Sequence, residues 1–321
     1  MNITVIGCGR WGSLITWYLD HIGHRVTLYG RAASPRMQAF LTTRQNDLLT
    51  LPESVALSTA LDAALEGAET VIISIGSQSL RSLLGQSELQ ALRNRTVVLC
   101  MKGLEMGTGA RLSQIAAELL HPSNTVAVWL GPGHVQEFYR GIPNCMVIDS
   151  ENEDVKRRLV QAFSSDLIRF YYGGDMIGNE VGAAAKNVVG IAAGFLDGFE
   201  MSSLKGALMS RGTREVARLI KAMGGSELSA YGLCHLGDYE ATVFSPYSHN
   251  RQFGESFVRG QDYHQLAEGY YTVKALMLLG QRYGVELPIC KAVHDILYEQ
   301  AVPRDVLAGL LRRGLTEEFY D

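Results

Sequence analysis

No two of the chain's cysteines are spaced as CxxC. There are five, at positions 8, 100, 145, 234 and 290, and the odd, scattered set excludes a disulfide scaffold and fits a reducing compartment. No apolar run approaches the ~20 residues that span a bilayer, so no membrane insertion is expected. The opening "MNITVIGCGRWG" enters a strand at once, without a basic leader or a cleavage site, so no signal peptide is expected either. A large charge of one sign is also missing. The formal net charge of -4 argues against nucleic acid as the main partner, although local basic pockets stay possible. There are no internal repeats and no low-complexity tracts. A cytoplasmic globular protein is expected.

The 321 residues exceed one typical core and suit two. In the first half, short β-branched runs alternate with helix-like stretches. "ITVIG" (3–7), "RVTLYG" (25–30), "TVIISIG" (70–76), "TVVLCMKG" (96–103), "TVAVWLGPG" (125–133), "NCMVIDS" (144–150) and "LIRFYY" (167–172) read as strands. Apolar strands separated by helix-length crossovers indicate a mostly parallel sheet with helices on both faces. Beyond about residue 174 the period becomes helical, as in "EVGAAAKNVVGIAAGFLDGF" and "GYYTVKALMLLGQRYG". "AMGGSELSAYGLCHLGD" reads as a loop. The expected fold is α/β over residues 1–173, followed by an all-α domain over 174–321.

"GCGRWG" (7–12) is GxGxxG, set directly after the first strand and before a helix. In that context Gly7 makes the tight turn, Gly9 lets backbone approach a pyrophosphate, and Gly12 allows close helix–strand packing. The helix N-terminus then faces the phosphates. The next strand runs into "LYGRAASPR", with no acid to take ribose hydroxyls. Arg31 comes first, then Ser34 and Arg36, and a guanidinium suits a 2′-phosphate. NADP(H) is preferred, with NAD(H) tolerated.

One cation, Lys186, stands in the middle of "GAAAKNVVGIAAG" (182–194). Burying an ammonium is costly unless it is paired or used. Asn179, Gly182, Ala183, Lys186 and Gly190 share a helix face, whose small residues would let a cofactor and substrate approach.

Taken together, "GCGRWGS", "MKGLE" (101–105), "LGPG" (130–133), "GAAAKNVVGIAAGFLDG" (182–198), "SRGTREVARL" (210–219), "GLCHLGDYEAT" (232–242), "SHNRQFG" (248–254), "AEGYYTVKAL" (267–276) and "GVELPIC" (284–290) resemble the bacterial-type NAD(P)-dependent glycerol-3-phosphate dehydrogenases, in order and over nearly the whole chain. The resemblance implies a Rossmann domain with an all-helical substrate domain. It implies hydride transfer between nicotinamide and C2 of dihydroxyacetone phosphate, giving sn-glycerol 3-phosphate for phospholipid synthesis, with a homodimer common among such enzymes. By position, it makes Lys186 the catalytic lysine, with Lys102 and Asp238 beside it. Asn187, Thr242, Ser248, His249 and Asn250 fall at substrate positions, as do Gly131 and Gly133. Arg10, Trp11, Arg31, Lys102 and Glu268 fall on the cofactor side with the three glycines. No metal is implied.

Ketone reduction leaves negative charge on the carbonyl oxygen, which must be stabilised and protonated. A lysine in a dry site has its pKa lowered and becomes the better acid. Lys102, after a strand's C-terminal end, would be a second cation near that oxygen. Asp238 could pair with Lys186, orient it, or receive a substrate hydroxyl.

The family pattern breaks at three places. Gly133, followed by His134, stands where serine is usual. His235 enters the approach to "LGD". His249 replaces an arginine that normally holds the substrate phosphate, and imidazole does not reproduce a bidentate guanidinium. Arg251 would substitute if the loop were displaced. The three histidines are expected near one another around the substrate, where they would take a phosphate differently, select another substrate or bind a metal. Two alternatives stay open: the same chemistry on another small hydroxy-phosphate or hydroxy-acid, and a non-catalytic nucleotide-binding regulator.

Overall fold

The computed structural model describes residues 1–312, 314, 317 and 318. It divides into two compact units, Met1–Met101 with Leu112–Met176, and Lys102–Arg111 with the chain from Ile177 onward. The segment Lys102–Arg111, which a division at 173/174 leaves in the first unit, packs in the second.

The first unit holds strands β1 (Asn2–Ile6), β2 (Arg25–Tyr29), β3 (Ala56–Ser58), β4 (Thr70–Ile73), β5 (Thr96–Leu99), β6 (Thr125–Leu130), β7 (Asn144–Asp149) and β8 (Ile168–Tyr172). They form one sheet in the order β3-β2-β1-β4-β5-β6-β7-β8. Every pairing is parallel except β6 with β7, where Trp129 faces Ile148 in antiparallel register. Helices α1 (Arg10–His21), α2 (Pro35–Thr43), α3 (Leu61–Leu65), α4 (Leu80–Leu84), α5 (Ser87–Gln90), α6 (Leu112–Leu119), α7 (Val135–Tyr139) and α8 (Glu153–Phe163) fill the connections. The strand order reverses at β1, between β2 and β4, so the crevice at the carboxyl ends there is the expected ligand site. Fully buried β4 and β5 each run apolar after an opening threonine, as strands covered on both faces should.

The second unit is built on α9 (Met176–Gly198), in which every residue from Gly178 to Leu196 is buried. A helix without a polar face is a central helix. Around it stand α10 (Lys205–Ala222), α11 (His249–Val258), α12 (Glu268–Tyr283), α13 (Pro288–Tyr298) and α14 (Pro303–Leu311). The stretch expected as a loop carries short 3₁₀ turns at Glu227–Tyr231 and Leu236–Asp238, followed by a single π turn at Glu240–Phe244. Among the described residues, no helix is long and apolar enough to cross a membrane.

The glycines in the small stripe of α9 make room for protein. A Cβ on Gly190 would sit 2.8 Å from Thr242, and one on Gly194 would sit 2.1 Å from the Arg251 carbonyl oxygen. A Cβ on Gly182 would lie 3.0 Å from the His235 Cβ. The glycines let the 235–244 segment and α11 press onto the helix, which corrects the expectation that they admit cofactor and substrate.

Candidate active site

Lys186 is 6% exposed, and its ammonium is held from the 236–244 segment. Nζ donates to Thr242 Oγ1 at 2.6 Å and pairs with Asp238 Oδ2 at 2.9 Å. The π turn, a conformation frequent at functional sites, carries Thr242. One of the three N–H groups of Lys186 is left over among the described residues. Burial pushes its pKa down from the usual lysine value to about 8, against the upward pull of Asp238 and with the help of Lys102. An ammonium that gives up its proton near neutrality is a usable acid.

Asp238 is 1% exposed and accepts from two cations on one oxygen, with Lys102 Nζ at 2.7 Å. Its other oxygen, Oδ1, is buried and has no hydrogen-bond partner among the described residues. A carboxylate oxygen left in this way is costly, and a ligand hydroxyl would satisfy it. Lys102 lies three residues past the end of β5, in the segment that joins the second unit. Its side chain is 20% exposed, so this cation reaches the edge of the cluster.

Behind the lysines, amides fix the backbone. Asn187 Nδ2 donates to the Lys102 carbonyl oxygen at 2.7 Å, and Asn250 Nδ2 donates to Asn187 Oδ1 at 3.0 Å. Asn250 Oδ1 accepts from the Gly269 amide at 2.9 Å, beside Glu268 at the start of α12. The second unit thus brings together Lys102, Lys186, Asp238, Thr242, Asn187 and Asn250 from four separate stretches of sequence. Ser248 uses its hydroxyl to cap α11, accepting from the Arg251 amide.

The three histidines do not share partners. His134 is the N-cap residue of α7 in the first unit. His235 is fully buried with both ring nitrogens engaged, at 2.8 Å from the Gly182 carbonyl oxygen and 2.7 Å from the Tyr239 hydroxyl, so it does not face a substrate. His249 Nδ1 lies 2.7 Å from the Tyr263 hydroxyl. Among the described residues, no group of three or more His, Cys, Asp or Glu side chains is placed to hold a metal ion. Arg251 does not stand in for the missing arginine. Its guanidinium is tied to Asp197 at 2.7 Å and Glu255 at 3.0 Å, and donates to the Ser245 carbonyl oxygen. Burial would raise the Asp197 pKa, but Lys205, Ser202 and Arg251 outweigh it and hold the carboxyl below the usual range. Of the two tyrosines that partner these histidines, Tyr263 carries no motif or periodic signal, and Tyr239 lies within "GLCHLGDYEAT" without any feature that singles it out.

In the first unit, Gly7 has φ +117°, and a Cβ there would strike the Ser74 carbonyl oxygen at 2.1 Å. A Cβ on Gly12 would strike the Gly7 carbonyl oxygen at 1.9 Å, so α1 sits hard against the turn. Gly9 differs: its Cβ would meet only Arg36, at 3.7 Å. It precedes α1 with no side-chain cap and no acid in the first turn. Close-packed glycines flank one open glycine at an uncapped helix start, and this arrangement fits a dinucleotide pyrophosphate. Trp11 leans on Phe138, with centroids 6.0 Å apart, and Arg31 is exposed just beyond β2. Gly131 and Gly133 have φ of +128° and +136°. A Cβ on Gly133 would overlap the Phe138 ring at 2.2 Å, so a side chain there would be strained by its φ and would have to displace that ring.

A Rossmann sheet with this glycine turn, accompanied by a buried lysine–aspartate–lysine cluster in a helical unit, defines a nicotinamide-dinucleotide-dependent oxidoreductase. The family models for the N-terminus and C-terminus of NAD-dependent glycerol-3-phosphate dehydrogenase match residues 2–156 and 175–308, and the chain belongs to that family. It is 32% identical over 331 residues to the glycerol-3-phosphate dehydrogenase (NAD(P)+) of Thermoanaerobacter sp. (strain X514), covering 100% of this chain and 99% of the relative. It is likewise 32% identical over 333 residues to that of Prosthecochloris aestuarii, covering 99% and 100%. The glycerol-3-phosphate dehydrogenase structure from Coxiella burnetii superposes with a TM-score of 0.89 at 27% identity, covering 97% of this chain and 99% of that one.

Proposed function

We propose that the chain is a cytoplasmic enzyme that interconverts dihydroxyacetone phosphate and sn-glycerol 3-phosphate with NADP(H) or NAD(H), supplying glycerophospholipid synthesis. The observation that carries this reading is the Lys186 ammonium, buried, acidified to about 8, and left with one N–H to give.

Gly7, Gly9, Arg10, Trp11 and Gly12 would hold the dinucleotide, with Arg31 at its ribose end. Once bound, the nicotinamide supplies or takes up the hydride at C2. As C2 is reduced, the carbonyl π pair moves onto oxygen, and that oxygen takes the proton from Lys186 Nζ. Lys102 lowers the energy of the developing charge, and Asp238 Oδ1 accepts a substrate hydroxyl. In the reverse direction the neutral Lys186 amine receives the hydroxyl proton. Thr242 and Asp238 keep Nζ from rotating away. The exposed Arg31, with Arg36 nearby in sequence and no acid after β2, supports a preference for NADP(H).

Purified protein should oxidise NADPH, and more slowly NADH, only when dihydroxyacetone phosphate is added. Lys186→Ala should cut kcat by about 10²–10⁴-fold, the usual contribution of a positioned acid. Unchanged turnover in that variant would remove Lys186 from the reaction. A second reading, another small hydroxy-phosphate or hydroxy-acid as substrate, is favoured by Arg251 being held by Asp197 and Glu255 while an imidazole stands at 249. A panel of phosphorylated and unphosphorylated ketones separates the two, because turnover that does not depend on the phosphate selects the second.

A further inference from the structure

We propose that His235 is a positioning residue that ties the segment carrying Asp238 and Thr242 to the middle of α9, and so keeps water away from Lys186. The inference rests on the reading of Lys186 as proton donor.

The Gly182 carbonyl oxygen, 2.8 Å from His235 Nδ1, can only accept, so Nδ1 carries the ring hydrogen. With the tautomer fixed by that carbonyl, Nε2 accepts from the Tyr239 hydroxyl at 2.7 Å. Tyr239 is itself fully buried, its ring edge-on to the imidazole with centroids 4.9 Å apart. Burial pushes the His235 pKa down to about 4, so the ring is neutral at working pH and supplies no charge to its surroundings.

Position gives the tether its consequence. Gly182 is four residues before Lys186, one turn away on the same face of α9. His235 immediately precedes the Leu236–Asp238 turn. Both side chains that hold Lys186 Nζ, Asp238 and Thr242, therefore hang from a segment pinned one turn from the lysine itself. The glycine at 182 leaves just enough room for this, since a Cβ there would be 3.0 Å from the His235 Cβ. The titratable groups that act on Lys186 are Asp238, Lys102 and Cys234, and the neutral His235 ring adds no charge to them. Burial has the largest influence on Lys186, so a loosened tether acts mainly by admitting water.

The test reads Lys186 directly. Full-length protein labelled at lysine ¹³Cε is titrated by NMR, with the Lys186 signal assigned from a Lys186→Arg sample. His235→Asn keeps a donor in place of Nδ1 and loses the acceptor for Tyr239. His235→Gln keeps a group near Nε2 and loses the bond to Gly182. The expected result is a Lys186 titration shifted upward by about one unit in the Gln variant, as hydration relieves the burial penalty, and close to the parent in the Asn variant. The basic limb of kcat for ketone reduction should follow the same order. Equal behaviour of the two variants, or no upward shift in Gln, would overturn the proposal and leave the ring a packing residue. Absence of turnover in the parent would instead count against the proposed function, because the NMR titration does not depend on activity.

Discussion

Lys186 is pulled in opposite directions, and each pull can be removed separately. Burial lowers its pKa most, Asp238 raises it, and Lys102 lowers it. In the proposed role of proton donor it works while protonated, so the rate of ketone reduction should fall as pH rises through about 8. Asp238→Asn removes the raising influence and leaves two ammoniums facing each other, so the fall should begin at lower pH. It should also lower the unfolding midpoint, since breaking a buried ion pair costs about 3–5 kcal/mol. Lys102→Met removes a lowering influence, so its fall should begin at higher pH. Its kcat should drop about ten- to a hundredfold, the equivalent of one hydrogen bond from a charged donor. pH–rate profiles of the two variants that move in the same direction would refute this electrostatic description. At this scale the sequence was partly legible. Lys186 stands out because a lone cation among glycines and alanines has no cheap structural explanation. Asp238 and Thr242 became visible only through motif resemblance, because nothing local announces that an aspartate in a glycine-rich stretch will be 1% exposed. The placement of Arg251 and His235 was misjudged because ion-pair and hydrogen-bond partners such as Asp197 and Tyr239 are distant in sequence.

Among the elements, strands buried on both faces were the easiest to recognise, since β4 and β5 run apolar after an opening threonine. β3 was invisible. It has three residues, pairs only with β2 at the sheet edge, and has no fully buried residue. The run expected to be one strand over 96–103 ends at Leu99, because beyond it the chain leaves to join the other unit. For α9 the period was right and the meaning of its small face was wrong. Small residues announce a close approach without saying whether protein or ligand makes it. Two glycine substitutions make the point measurable. Ala is the better helix former by ~1 kcal/mol, and Gly206 in α10 has nothing within 4 Å of a Cβ, so Gly206→Ala should raise the unfolding midpoint. Gly194→Ala should lower it, because its Cβ would stand 2.1 Å from the Arg251 carbonyl oxygen and 2.7 Å from the Glu255 amide, and such overpacking costs about 1–3 kcal/mol or more. Thermal melts of the pair should therefore shift in opposite directions.

For the whole molecule, the decisive feature is that the second unit is not continuous in sequence. Lys102–Arg111 leaves the sheet, packs among the helices, and returns as α6 begins. Leu104 is fully buried in the helical core. Arg111 pairs with Glu180 at 2.6 Å, with both side chains largely out of water. A linear reading places one boundary near residue 174 and misses this, because a change of period marks where helices begin and not which helices a short excursion joins. A fragment beginning at residue 174 would lose the Leu104 side chain, worth about 2–5 kcal/mol in a core, and would leave Glu180 without Arg111, at about 3–5 kcal/mol. Together these approach the whole stability of a domain, roughly 5–15 kcal/mol. The 174–321 fragment should therefore lack a cooperative thermal transition, whereas a version with 102–111 fused through a flexible linker to its N-terminus should recover one. A cooperative melt from the bare fragment would mean that the excursion serves only to deliver Lys102. Recovery by the fused segment would mean that Lys102, the second cation of the proposed site, is carried on a piece of chain the fold cannot do without.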